Sequence, residues 1–220
     1  MEIATSVLSI KQEQNYPIKQ FYAIETAKTD YFHIDVMDGK FVEQDTTEKM
    51  AEYAQTIKQI SNIPLDIHLM VEEVEKYVEE YIPLEPAYIT MHYESFKDDQ
   101  SRIEMIQKVR EAGIKVGMAI KPDTKVEVLK PLLPMLHLVL VMTVEPGYGG
   151  QPFMYEMVAK IEQLSREIET NNCDYFIEAD GGINLETVEA VKEAGCDIAV
   201  VGTAIIQAEN KKDIIAQLKK

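Results

Sequence analysis

The sequence predicts a closed (β/α)8 TIM barrel of the α/β class, on three observations. The chain has 220 residues, close to the usual size of such a barrel and enough for one sizeable core. Eight short apolar runs of β type recur along it. Charged stretches with helical periodicity separate them. Continuous apolar runs are the mark of strands buried on both faces, and their alternation with helices implies parallel strands joined by right-handed crossovers. At this length, eight such units favour closure over an open doubly wound sheet. No linker-like composition interrupts them, so residues 1–220 are expected to form one TIM-barrel domain.

In chain order the strands are expected at Ile3–Leu8, Tyr31–Val36, Pro64–Met70, Tyr88–His92, Lys115–Ile120, Leu138–Thr143, Tyr175–Ala179 and Ile198–Val201. Eight helices are expected to alternate with them. EKMAEYAQTIKQI, from Glu48 to Ile60, places Met50, Tyr53, Ala54, Ile57 and Ile60 along one face, the spacing of an amphipathic helix. QSRIEMIQKVREAG, from Gln100 to Gly113, repeats the pattern and ends at a glycine able to cap it. LETVEAVKEAG, from Leu185 to Gly195, ends in the same way.

The formal net charge of −16 repels nucleic acid and anionic membrane surfaces, so neither is an expected partner. An anionic substrate would have to be held locally, and backbone amides at helix N-termini can do that without basic side chains. Cys173 and Cys196 fit no paired metal-ligand spacing and read as free thiols of a reducing cytoplasm. The start, MEIATSVLSIKQE, lacks the basic and apolar stretches of a signal peptide. No run approaches the length of a transmembrane helix.

Function in this fold sits at the C-terminal ends of the strands. Strand two reads YFHIDVMDG, and its His33 and Asp35, two residues apart, share a face. Strand three, LDIHLM, places Asp66 and His68 together, and strand seven, FIEADGG, ends in Asp180. Strands two and three are neighbours, whereas strand seven lies across the barrel. A divalent transition metal at the mouth would therefore be gripped from both sides by His33, Asp35, His68 and Asp180. Singly, each reads as an ordinary buried polar residue; four on strand ends favour the metal. Glycines cluster in EPGYGGQPF, DGGIN and VGTAI, after strands six, seven and eight. One such turn is only a tight turn, but three in consecutive loops point to a phosphate cradle.

SVLS, HIDVMDGKFV, DIHLMV, VGMAIKPDT, VMTVEPGYGGQPF, EADGG and VGTAI together resemble the ribulose-phosphate 3-epimerase family, from the first strand to the last. The resemblance implies a (β/α)8 barrel binding one divalent metal ion per subunit: zinc, iron, manganese or cobalt. It carries the family's ligands onto His33, Asp35, His68 and Asp180, and its acid and base onto the two aspartates. It carries the substrate-binding serine onto Ser6 and the phosphate-binding turn onto Gly147, Tyr148, Gly149 and Gly150. Further phosphate contacts fall on Gly181, Gly182, Gly202 and Thr203. His68 and the methionines Met37, Met70 and Met142 would line the substrate; without the resemblance the methionines read as core.

The implied reaction is inversion at carbon 3 of a ketose phosphate, most simply D-ribulose 5-phosphate to D-xylulose 5-phosphate, through a metal-stabilised enediolate. Removing a proton from one face and returning it to the other takes two groups, and Asp35 and Asp180 supply the pair. The histidines would be neutral ligands held by outer partners, for which Asp66 and Asp38 are candidates. His92 could border the pocket, His137 reads as structural, and Lys121 as a surface lysine. The resemblance also implies a sugar-phosphate ligand, self-assembly into a homo-oligomer and a cytoplasmic setting.

Two segments depart from the family pattern. Ser9 is followed by IKQEQ where Ala-Asp-Phe is usual, and Phe41-Val42 by EQDTTE where a Pro-Asn loop is usual. The second keeps a six-carbon substrate, such as D-allulose 6-phosphate, as an alternative. A non-catalytic sugar-phosphate-binding protein is a further alternative, against which the intact aspartate pair argues. A decarboxylase or aldolase of the same scaffold would carry a lysine after strand two, where this chain reads Asp35-Val36-Met37-Asp38.

Overall fold

Eight parallel strands close on themselves, each bonded to its neighbours in chain order and the eighth to the first. The computed structural model describes residues 1–171 and 173–220. The strands are β1 Glu2–Ser6, β2 Tyr31–Met37, β3 Leu65–Met70, β4 Tyr88–His92, β5 Lys115–Ile120, β6 Leu138–Met142, β7 Phe176–Asp180 and β8 Ile198–Val201. The helices are α1 Tyr16–Thr26, α2 Thr47–Ile60, α3 Val74–Tyr81, α4 Asp99–Glu111, α5 Val158–Asn171, α6 Val188–Glu193, α7 Thr203–Gln207 and α8 Lys211–Leu218. No helix among the described residues is long and apolar enough to cross a membrane.

All eight expected strands are present, and three boundary shifts matter for the site. The first strand ends at Ser6 rather than Leu8, the second runs on to Met37, and the seventh ends at Asp180. Ser6 and Asp180 are thus terminal strand residues, at the rim of the barrel. The expected eight-fold alternation with helices is not regular. Between β5 and β6 there is no α-helix, only two 3-10 turns, Val126–Leu129 and Leu133–Met135. Pro131 and Pro134 explain this, since proline removes a helical N–H and clashes with the preceding turn. After β8 two helices follow instead of one. The helix expected from Leu185 is regular from Val188. The turn before it is capped: the Asn184 side chain accepts from the Glu186 N–H (2.7 Å), Thr187 Oγ1 from the Asn184 N–H (3.0 Å), and the Asn184 carbonyl from the Val188 N–H (2.9 Å).

One apolar layer lies between strands and helices. In it Phe21 of α1 meets Phe32 of β2 and Tyr53 of α2 edge-on, at 6.1 and 5.2 Å between centroids. A second, smaller apolar cluster fills part of the barrel interior: Ala4, Tyr88, Ala119, Leu138, Leu140, Ile198 and Val200 among others. Gly117 is dictated by this packing, because a Cβ there would lie 2.2 Å from Thr90 Oγ1. The rest of the interior is polar. His33, Asp35, Asp66, His68, Thr90, His92 and Glu178 are all buried, and they come from β2, β3, β4 and β7. β2, β3 and β4 from one side and β7 from the other thus enclose a polar centre.

Candidate active site

Register brings the polar residues together. Asp35 on β2 stands opposite His68 on β3, and His33 opposite Asp66. Across the barrel Asp180 on β7 stands opposite Met142 on β6. The period of two along each strand sends His33, Asp35 and Met37 to one face, and Asp66, His68 and Met70 to another that meets it.

His33 Nε2 lies 3.2 Å from Asp35 Oδ1 and 3.8 Å from Asp180 Oδ2. His68 Nδ1 lies 3.3 Å from Asp35 Oδ1 and 3.4 Å from Asp180 Oδ2. One donor atom from each of the four residues falls within 4.8 Å of all the others. Atoms that share a transition metal at roughly 2.0–2.2 Å are spaced in this way. His33 Nε2 is also buried without a hydrogen-bond partner, a costly state for an imidazole nitrogen unless its lone pair is used. Two imidazoles and two carboxylates thus fit a divalent transition metal.

Outer contacts fix these groups. Ser6 donates its hydroxyl to Asp35 Oδ2 at 2.7 Å, leaving Oδ1 toward the histidines. Thr46 Oγ1 donates to the Asp35 carbonyl at 2.7 Å. The Thr143 N–H donates to the Asp180 carbonyl at 2.8 Å, and its hydroxyl to that of Gly181 at 2.6 Å. Asp66 Oδ2 meets His33 Nδ1 at 2.5 Å and so takes the outer role expected of it. Asp38 does not; it accepts from the N–H groups of Lys40, Phe41 and Glu72 and ties two loops together.

Burial alone would raise the Asp35 carboxyl, but the neighbouring His33 and His68 rings outweigh it and hold Asp35 well below the usual carboxylate range. Burial and the adjacent Asp66 push the Glu178 carboxyl well above its usual range.

Above the carboxylates opens a cleft of about 300 Å³. Its lining includes Ser6, Asp35, Met37, Met70, Met142, Gly147, Tyr148, Gly149, Gly150, Asp180, Gly181, Gly182, Gly202 and Thr203. The structure therefore gathers the residues singled out in the sequence around one space. His33 and His68 are fully buried beneath it. Among the described residues no lysine or arginine lines the cleft. Three turns form one wall. Gly181 and Gly182 have φ of 127° and 68°, and a Cβ on Gly182 would lie 2.7 Å from the Phe153 nitrogen. Only glycine suits this conformation and this approach.

Sequence reasoning passed over Gln151, whose amide donates to the Glu145 and Tyr148 carbonyls and closes the glycine turn. It also passed over Glu178, two residues before Asp180 on the same strand face, and Glu94, which lies beyond the strand in a 3-10 turn. His92 is deeper than a pocket-bordering residue, bonded to His68. Lys121 does not line the cleft; its ammonium sits 3.8 Å from the Phe41 ring. His137 accepts from the Val116 N–H near the opposite barrel end, a structural contact.

The Ribulose-phosphate 3 epimerase family model matches residues 2–206. The chain belongs to the ribulose-phosphate 3-epimerase family. It is thus an epimerase acting on carbohydrates, like the relatives it matches. Ribulose-phosphate 3-epimerase of Bacillus subtilis is 34% identical over 89% of this chain and 88% of its own length. That of Schizosaccharomyces pombe is 38% identical over 87% and 81%. The structure of 3-hexulose-6-phosphate synthase from Salmonella typhimurium superposes with a TM-score of 0.68, covering 99% of this chain and 96% of that one. At 15% identity it shares the fold alone.

Proposed function

We propose that this epimerase inverts carbon 3 of D-ribulose 5-phosphate to give D-xylulose 5-phosphate. Asp35 and Asp180 are its acid and base, and His33, Asp35, His68 and Asp180 hold one divalent metal ion. The observation that carries this reading is the meeting of two carboxylates, from β2 and from β7 across the barrel, at two buried imidazole nitrogens. A metal bound there supplies positive charge for the oxygen that becomes anionic when the carbon loses its proton. The remaining work falls to the chain. One aspartate takes the proton from one face of the carbon, and the other returns a proton to the opposite face. The roles exchange in the reverse direction. Ser6 orients Asp35 for this task, and Thr143 fixes the backbone of Asp180.

Among the described residues the phosphate has no lysine or arginine to meet in the cleft. The amides of Gly147, Tyr148, Gly149, Gly150, Gly181, Gly182, Gly202 and Thr203 are left to hold it. This suits a chain of net charge −16, since backbone donors fixed by glycine turns attract an anion without altering that charge. The methionines give the carbon chain of the sugar an apolar, adaptable wall.

Asp180→Asn is expected to lower turnover by about 10²- to 10⁴-fold, the scale of losing a general acid–base group. Its melting temperature in the metal-free state should stay near that of the metal-free wild type. Near-normal epimerisation by this variant would refute the two-base assignment.

A second reading, with D-allulose 6-phosphate as substrate, has one observation in its favour. The atypical segment after Val42 reaches the glycine turn, where Glu43 accepts from the Tyr148 hydroxyl at 3.0 Å. Val42 packs 3.3 Å from where a Cβ on Gly147 would lie. Comparing kcat/KM on the two sugar phosphates separates the readings.

A further inference from the structure

We propose that His92 and Glu94 are positioning residues that set the tautomer of His68 and hold it ready to ligate metal. This rests on the reading of His68 as a ligand and deepens it. A ring nitrogen that gives its lone pair to a cation carries no proton. His68 Nδ1 faces Asp35 and Asp180, so the proton of the neutral ring belongs on Nε2. That nitrogen lies 3.0 Å from His92 Nε2. The two rings are 24° from parallel with centroids 5.1 Å apart, so they meet edge to edge, as an N–H···N bond requires. Two imidazole nitrogens bond only when one donates and the other accepts. His92 Nε2 is therefore the acceptor, and its ring proton is on Nδ1.

His92 Nδ1 lies 3.1 Å from Glu94 Oε2, which accepts that proton. The opposite arrangement would turn the lone pair of His92 Nδ1 against a carboxylate. Glu94 is thus what sets the direction of the whole row. Its other oxygen accepts from the Lys121 N–H at 2.9 Å and from the Thr124 hydroxyl. Lys160 holds that loop in place, donating to the carbonyls of Lys121, Pro122 and Thr124 at 3.0, 2.6 and 2.5 Å. Both histidines are fully buried, so water has no access to take over either bond. The other ligand histidine has a simpler brace, Asp66 directly on His33 Nδ1. His68 reaches its carboxylate through a second imidazole. Partners of this kind fix ring orientation and raise ligand basicity.

The test uses the full chain stripped of metal, with Zn²⁺ as the probe and a competing chromophoric chelator as the readout. His92→Leu is expected to bind Zn²⁺ about 10- to 100-fold more weakly than wild type. His92→Gln, whose amide can both accept from His68 and donate to Glu94, is expected to recover most of the loss and serves if the leucine variant does not fold. Histidine ¹⁵N spectra of the zinc-loaded wild type should show His92 protonated on Nδ1 and not on Nε2. Wild-type affinity in His92→Leu, or a His92 proton on Nε2, overturns the inference while leaving the metal site standing. A wild-type chain that takes up no Zn²⁺ brings down the metal reading, and the inference with it.

Discussion

Asp35 is held from three sides: Ser6 on Oδ2, the two histidines at Oδ1, and Thr46 on its carbonyl. A group fixed in this way loses little freedom when the substrate arrives, which is how positioning contributes to catalysis. The glycines of the cleft are fixed by a different constraint, backbone conformation. Gly182→Ala would place a methyl 2.7 Å from the Phe153 nitrogen at a φ of 68°. It is expected to raise KM for the sugar phosphate by roughly 10-fold or more with a smaller effect on kcat, the signature of lost binding energy shared by ground and transition states. Steady-state kinetics on the purified variant checks this; an unchanged KM would remove Gly182 from the phosphate site. At this scale the strand residues were the legible ones. His33, Asp35, His68 and Asp180 sit on regular strands, where a period of two says which side chains face inward. Glu94 escaped because it lies past the end of β4, where no period holds. Gln151 escaped because its contacts are to carbonyls within its own loop.

The elements follow from pattern as far as pattern reaches. All eight strands announce themselves as apolar runs, and α2 and α4 as amphipathic stretches. The stretch between β5 and β6 does not form the expected helix, because two prolines prevent it. Which helix contacts which is a matter of packing, and the aromatic group joining α1, α2 and β2 shows its terms. Tyr53 donates its hydroxyl to the Ile10 carbonyl at 3.2 Å, and burial pushes that phenol up from 10.0 to about 12. The folded state therefore keeps a proton that the unfolded chain gives up first. The stabilisation is full below pH 10 and is lost as pH rises toward about 12. Alkaline titration followed by circular dichroism should show stability falling in that window, and Tyr53→Phe should weaken the dependence. An identical alkaline profile in Tyr53→Phe would show that Tyr53 does not contribute.

For the whole molecule, the distribution of charge is the instructive feature. A net charge of −16 belongs to a barrel whose mouth gathers two of its carboxylates, and a cation there would relieve them. Removing the metal with a chelator is expected to abolish epimerisation and to lower the melting temperature by roughly 5–10 °C, from a binding contribution of a few kcal/mol. Re-addition of Zn²⁺, Mn²⁺ or Co²⁺ should restore both. A melting temperature indifferent to chelator and metal would count against a metal held by His33, Asp35, His68 and Asp180.

The most direct measurement follows carbon 3 of D-ribulose 5-phosphate by NMR while the metal-loaded protein turns it over in heavy water. Two aspartates working on opposite faces predict D-xylulose 5-phosphate that carries solvent deuterium at carbon 3. Product that retains the original hydrogen at that carbon would contradict the pair, and the absence of any exchange would contradict the substrate.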